Sequence, residues 1–347
     1  MSMRGRIIGT VAGAAGVAVA GAAYGVVRQR HRISQRPGEP IPLGELRSAP
    51  LTVVADDGVP LHVEVDEPES ARSPVTVVFC HGYSLNLDCW HFQRAALRGR
   101  VRSVFYDQRS HGRSGRSSLE NATIDQLGHD LRRVLDEVVP EGPVVLVGHS
   151  MGGMTIVAFA EQYPDFFGDR VVGVGLISTT AGGLDVGRLL MPVLPAKLGL
   201  PVAQRTIATL ARRHATVDAV RRAGKSVAMV TTDLFAFGDD VPGPYVEFVD
   251  EMLSATPFEV VAEFFPAFGS LDKFHAVQVI GQVPTLIVCG DRDRLTSIGH
   301  SRKLHAQIPG SRLVEYERAG HMVILERHAQ VNAELEKLLA EAEGRVR

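Results

Sequence analysis

The chain has 347 residues, of which 45% are hydrophobic and 22% charged, and its formal net charge is −2. Such a composition excludes a disordered or low-complexity chain and implies a globular protein with a sizeable core. The near-balanced charge lacks the basic footprint of a nucleic-acid partner, and Cys80, Cys89 and Cys289 are too few and too irregular for a disulfide framework, which favours a reducing compartment.

Ile7 to Val27 form 21 residues without a charge, between Arg4 and Arg6 on one side and Arg28, Arg30 and Arg32 on the other. That length can span a bilayer. Twelve of the 21 are Ala or Gly, which weakens insertion, although Gly9/Gly13 and Gly21/Gly25 each make the G-x-x-x-G spacing that lets membrane helices pack closely. A signal peptide cut after Ala18-Val19-Ala20, with export of the remainder, is one alternative, and a soluble extension is another. Arginines crowd the downstream flank and oppose translocation of the chain beyond them. The expectation is therefore membrane association through an uncleaved anchor over residues 7–27, with the remainder in the cytoplasm. Residues 33–50, punctuated by Pro37, Pro40, Pro42 and Pro50, read as a linker, so 1–50 is set apart from the folded part.

From Leu51 the pattern becomes regular. Leu51-Thr52-Val53-Val54 and Leu61-His62-Val63-Glu64-Val65 flank Asp57-Gly58, as in a β-hairpin. Val75–Cys80, Val101–Tyr106, Val144–Val147, Val171–Ile177, Thr285–Cys289 and Arg312–Tyr316 are further apolar, β-branched runs with the length of buried strands. Between them lie helical stretches. Thr123-Ile124-Asp125-Gln126 is a capping box opening a helix with Ile124, Leu127, Leu131, Val134, Leu135 and Val138 on one face. Thr256-Pro257-Phe258-Glu259 supplies cap, first-turn proline and glutamate for another, and a last amphipathic helix runs from about Met322 to Leu339. Strands alternating with helices imply an α/β fold, a mostly parallel sheet covered on both faces. Residues 180–271 contain no clean strand and interrupt the core (51–179 and 272–347) as a helical insertion.

The chemistry centres on Gly148-His149-Ser150-Met151-Gly152-Gly153. G-x-S-x-G between a buried strand and a buried helix holds a serine on a sharp corner at a helix N-terminus, where free N–H groups favour developing negative charge. A serine needs a base and the base an orienting acid, and both belong on loops at the carboxyl ends of later strands. Gly290-Asp291-Arg292-Asp293 comes after one such strand and Arg318-Ala319-Gly320-His321 after the next.

With His81-Gly82-Tyr83 and the D-x-R-x-x-G-x-S loop at Asp107–Ser114, these motifs stand in the order of the α/β-hydrolase superfamily, which the chain resembles from about Leu51 to its end, in the serine esterase and lipase branch. The resemblance implies Ser150 as nucleophile, His321 as base and Asp293 as the orienting acid, with Asp291 as the alternative. It also implies an oxyanion hole from the backbone N–H groups of Tyr83 and Met151. Ser110 departs from the pattern, since relatives usually carry Gly there. The 180–271 insertion would be a cap over the site.

Blander roles suit other residues. His81 and His149 read as structural hydrogen-bonding groups, and Arg109 and His111 as braces of the polar loop. Phe235, Phe237, Phe258, Phe264, Phe265 and Phe268 read as the inner face of the insertion. Gly224-Lys225-Ser226 lacks the rest of a phosphate loop, and no spacing points to a metal or cofactor. The reading is a serine hydrolase of carboxylic esters with an apolar acyl or lipid-like portion. Thioesters, C–C bond cleavage or cofactor-free haloperoxidase chemistry are alternatives on the same triad, and a membrane-tethered binding protein with a vestigial triad is an alternative of another class.

Overall fold

Each of the eight β-branched runs is a strand in the computed structural model, which describes residues 24–38, 41–70, 73–184 and 224–346. They are β1 Pro50–Val54, β2 Pro60–Asp66, β3 Thr76–Cys80, β4 Ser103–Tyr106, β5 Val144–His149, β6 Val171–Ile177, β7 Thr285–Gly290 and β8 Arg312–Tyr316. One sheet holds them in the order β1-β2-β4-β3-β5-β6-β7-β8. The pairs β1/β2 and β2/β4 are antiparallel, and every later pair is parallel. From β3 to β7 every strand residue is buried, which is why these runs are uniformly apolar rather than alternating.

Successive residues nevertheless point to opposite faces. Val78, Val104 and Leu146 pack with Leu131 and Leu135 of α3 (Ile124–Val138), with Ile156 and Phe159 of α4 (Met151–Gln162), and with Leu304 of a later helix over Ile298–Gln307. Val77, Phe79, Phe105 and Val145 pack on the other side with Leu97 of α2 (His91–Leu97) and with Leu335 and Leu338 of the C-terminal helix, His328–Val346. Burying each such aliphatic side chain contributes about 1.5–3 kcal/mol. Thr123 caps α3 as expected, accepting from the Gln126 N–H at 3.1 Å.

The structure departs from the sequence reading in three places. The closing helix is two, Val323–Glu326 and His328–Val346, because Arg327 leaves helical geometry at φ −126°, ψ 36°. Thr256 does not start its helix, which runs over Phe258–Ser270 with Pro257 at the cap position; the Thr256 hydroxyl donates to the Ser84 carbonyl at 3.1 Å.

The third departure concerns the stretch before β1, which is not free chain. The helix over 24–34, α1, buries Ile33 completely. Arg36 grips Asp233 with two guanidinium nitrogens and lies 2.7 Å from Asp240. The Gly44 N–H donates to His91 Nδ1 at 3.2 Å, and Arg47 Nη2 reaches Asp88 at 2.9 Å. The Ser48 N–H and hydroxyl donate to Glu64 and Asp66, carboxylates that also hold the buried Arg94. Prolines narrow the unfolded ensemble, so an extended strap of this kind loses less entropy on docking. It joins the core to one helix of the insertion, α5 (Lys225–Ala236), and to the loop before the next, α6 (Gly243–Ala255). Residues 7–23 of the expected anchor lie outside the described residues. Among those described, no helix is long and apolar enough to cross a membrane.

Candidate active site

Ser150 sits between β5 and α4 with φ 54° and ψ −119°, a left-handed corner that side-chain-bearing residues seldom adopt. Its surroundings hold it there. The Ser150 N–H donates to the Ile177 carbonyl at 2.9 Å, and the Ser150 carbonyl accepts from the Gly153 N–H at 2.9 Å and the Thr179 hydroxyl at 2.7 Å. Gly152 permits the corner, because a Cβ there would lie 2.0 Å from the Cys80 carbonyl oxygen. Helix α4 therefore runs directly against the end of β3.

Asp293 and His321 come from the loops after β7 and β8. His321 Nδ1–H donates to Asp293 Oδ2 at 2.9 Å, and both side chains are buried. Burial by itself would raise the Asp293 carboxyl. The facing His321, and N–H donation from Thr296 and Leu295 at 2.9 and 2.8 Å, outweigh that and hold it below the usual carboxylate range. The Thr296 hydroxyl donates to Asp293 Oδ2 at 2.9 Å. Asp291, two residues earlier, is exposed and makes no hydrogen bond to His321 among the described residues. The backbone of His321 is tied to the serine corner, since His149 Nε2–H donates to the His321 carbonyl at 2.9 Å and the two rings stand 4.8 Å apart. Among the described residues no hydrogen bond joins the Ser150 hydroxyl to His321. Such bonds are often long without substrate and close on binding.

The loop carrying Tyr83 lies against the serine, as a Cβ on Gly82 would be 3.2 Å from Ser150 Cβ. Gln108 sets this loop. Its N–H donates to His81 Nε2 at 2.9 Å, its amide nitrogen donates to the His81 carbonyl at 2.6 Å, and its amide oxygen accepts from the Thr155 hydroxyl on α4 at 2.7 Å. Met151 opens α4, where helix geometry leaves its N–H without an intrahelical acceptor. The Tyr83 side chain turns away to the insertion, donating to the Val261 carbonyl and meeting the Phe268 ring edge-on at 4.8 Å.

Arg109 is wholly buried, with bonds of 2.6 Å to both oxygens of Asp130 and of 2.7 and 3.1 Å to Asp57. Removing one member of such a buried pair costs about 3–5 kcal/mol. Ser110 adopts φ 66°, the conformation a glycine would take freely, and its hydroxyl compensates by accepting from the Ser117 N–H at 2.9 Å. Gln108, Thr179 and Thr296 escaped the sequence reading. Their only signal was position at the carboxyl ends of strands.

Burial holds His81 and His149 down to about 3 and His111 down to about 4, against 6.5 for an exposed imidazole. His81 accepts at one ring nitrogen, and the neutral form is the one that fits. Since the unfolded chain binds these protons and the folded chain does not, stability is complete above pH 6.5 and falls as pH drops toward 4. Each histidine contributes up to about 1.4 kcal/mol per pH unit in that window. Urea unfolding from pH 7.5 to 4.5 is expected to show this slope, with one proton less in His111→Asn. Equal slopes in the two proteins would refute it.

A cavity of about 460 Å³ opens between α5 and α6, lined among the described residues mainly by apolar groups including Ala228, Phe235, Ala236 and Leu253. Leu295 links it to the Asp293 loop, while Ser150 and His321 are not in its wall.

A model of the Alpha/beta hydrolase family matches residues 77–334, from β3 through the His321 loop. A dihydrolipoyllysine-residue acetyltransferase component of the acetoin cleaving system from Pseudomonas putida is 27% identical over 75% of this chain, and the matched stretch spans 62% of that protein's own length. A monoacylglycerol lipase from Mycolicibacterium smegmatis is 25% identical, over 71% of this chain and 80% of that one. A thermophilic esterase from Thermogutta terrifontis superposes with a TM-score of 0.67 at 22% identity, covering 85% of this chain and all of that one. With its parallel β3–β8, serine corner after β5 and histidine loop after β8 falling inside the matched region, and an antiparallel opening just before it, the chain belongs to the α/β-hydrolase family and is a hydrolase.

Proposed function

We propose that the protein is a serine hydrolase of carboxylic esters whose acyl or lipid-like portion is apolar. The single observation that carries this reading is the buried Asp293–His321 pair, bonded at 2.9 Å and tied through His149 to the strained corner that presents Ser150. Ser150 Oγ attacks the ester carbonyl while His321 Nε2 takes its proton, and Asp293 holds the imidazole and stabilises its charged form. The Met151 and Tyr83 N–H groups receive the charge on the carbonyl oxygen. His321 then protonates the departing alcohol, and a water activated by the same nitrogen releases the acid.

Residues 180–271 act as a cap in this reading, of which 185–223 lie outside the described residues. Support comes from α7 (Phe258–Ser270). Its Phe264, Phe265 and Phe268 share a buried cluster with Met151 and Met154, and Tyr83 packs on that cluster. The test is kcat/KM over p-nitrophenyl esters of rising acyl length, for which a rise beyond acetyl is expected. A preference for acetyl or polar short-chain esters, or for the matching thioesters, would overturn it.

The segment 7–27 acts as a membrane anchor in the same reading, with the catalytic domain on the cytoplasmic side. Its arginine flanks support this, as do Tyr24 and Val27, 70% and 58% exposed on α1, and the three buried cysteines, none of them in a disulfide. Protein retained on membranes after a carbonate wash with an intact N-terminus is the expected result. A soluble mature form beginning near Gly21 would show an export signal instead.

A further inference from the structure

Glu326 ends the short helix Val323–Glu326, five residues beyond His321. Its carboxylate spends its lone pairs on backbone amides from two separate segments. Oε2 accepts from the Gly320 N–H at 2.7 Å, the amide directly before His321. Oε1 accepts from the Asp239 N–H at 2.9 Å, and both oxygens approach the Gly238 N–H, at 3.2 and 3.3 Å. Among the described residues no cation pairs with this carboxylate.

The two segments touch backbone to backbone. A Cβ on Gly320 would lie 2.5 Å from the Gly238 nitrogen, and the Met322 N–H donates to the Ala236 carbonyl at 2.8 Å. On the opposite side a Cβ on Gly290, the end of β7, would lie 2.1 Å from the Ala319 carbonyl oxygen. The histidine loop is thus a middle layer between the acid strand and the turn that leaves α5. Arg292 Nη1 donates to the Gly238 carbonyl at 2.9 Å, and Arg318 Nε reaches Asp239 at 3.0 Å, closing the edges of the same stack.

We propose that Glu326 is a positioning residue that bolts the cap turn 236–239 to the His321 loop, so that the base holds its register with Asp293 only while the cap is seated. This rests on the serine-hydrolase reading. Asp293 and Thr296 meet the His321 ring, His149 its carbonyl and Glu326 the amide just before it. Of these side chains Glu326 is the one that also binds the cap turn, beside the backbone bond from the Met322 N–H to the Ala236 carbonyl. A glutamine at 326 keeps the shape but turns a donor toward at least one of the three amides, and alanine releases all of them.

The experiment compares full-length wild type, Glu326→Gln, Glu326→Ala and Ser150→Ala well below their unfolding midpoints. A loss of kcat of about tenfold in the glutamine variant and about 10²-fold in the alanine variant is expected, the scale of a base displaced by about 1 Å, with KM moved less than about threefold. The far-downfield proton resonance of His321 Nδ1–H, which needs no turnover to be seen, should broaden or vanish in both Glu326 variants and persist in Ser150→Ala. Unchanged kcat and resonance in Glu326→Gln and Glu326→Ala, with only a lower unfolding midpoint, would overturn the proposal and leave Glu326 a stabilising staple. A raised KM at constant kcat would overturn it in favour of an effect on substrate entry. Turnover indifferent to Ser150→Ala would instead sink the hydrolase reading and the proposal with it.

Discussion

Ser150→Ala is expected to lower ester turnover by about 10⁴-fold or more while leaving the fold intact, because on the proposed mechanism a single hydroxyl is lost from a nucleophile that acts as a unit with its base. The corner does not depend on that hydroxyl. Its bonds run through the Ser150 amide to Ile177 and from Thr179 to the Ser150 carbonyl. Alanine at φ 54° carries the same backbone strain as serine, so the unfolding midpoint should move little. Non-additivity is the sharper signature. Once Ser150 is gone, removing His321 as well should cost almost nothing further, and what turnover remains comes from the oxyanion hole and substrate binding. The check is kcat/KM on a p-nitrophenyl ester, with labelling by an active-site serine probe. Hydrolysis near the wild-type rate, or a further large loss in the double variant, would end the mechanism.

Asp293→Asn should reduce kcat by about 10⁴-fold, against no more than about twofold for Asp291→Asn. Asp293 uses both oxygens. Oδ1 takes the Leu295 and Thr296 amides, and Oδ2 takes the Thr296 hydroxyl and His321 Nδ1–H. An asparagine keeps the first set and presents an NH₂ group to the imidazole. Nδ1 must then accept, the proton moves to Nε2, and the nitrogen needed to deprotonate Ser150 is occupied. Exposed Asp291 has no such leverage, so equal losses in the two variants would place the orienting acid elsewhere. Unchanged KM in Asp293→Asn should accompany the lost kcat, because the defect lies in proton transfer rather than binding.

Much of the fold was legible because its signals are local. Runs such as Val144–Val147 and Val171–Ile177 are β-branched and short, and strands of that kind are stable only when buried on both faces. The Thr123 capping box is complete within four residues. Ser150 could be singled out for the same reason, as a small-residue corner between strand and helix is a property of six consecutive positions. Long-range partners leave no such mark. Thr256 carries a helix-start pattern, and nothing in that pattern announces that its hydroxyl donates to Ser84, 172 residues away in sequence. The proline-spaced stretch before β1 has the composition of a linker, but composition is silent on whether Ile33 finds a hydrophobic seat or Arg36 two carboxylates.

The sequence alone determined the eight strands, their order along the chain and the serine corner, because hydrophobic period, turn residues and caps act over one or two turns of chain. The tertiary structure decided which aspartate faces His321, since Asp291 and Asp293 differ by two positions in one loop and only burial separates them. It alone brought in Gln108, Thr179, Thr296 and Glu326. The Thr179 hydroxyl meets the Ser150 carbonyl across 29 residues and Glu326 meets Gly238 across 88, and such pairs have no period to read. They exist because buried backbone N–H and C=O groups at the carboxyl edge of the sheet must be satisfied, and the nearest donor or acceptor in space answers that need wherever it stands in the chain.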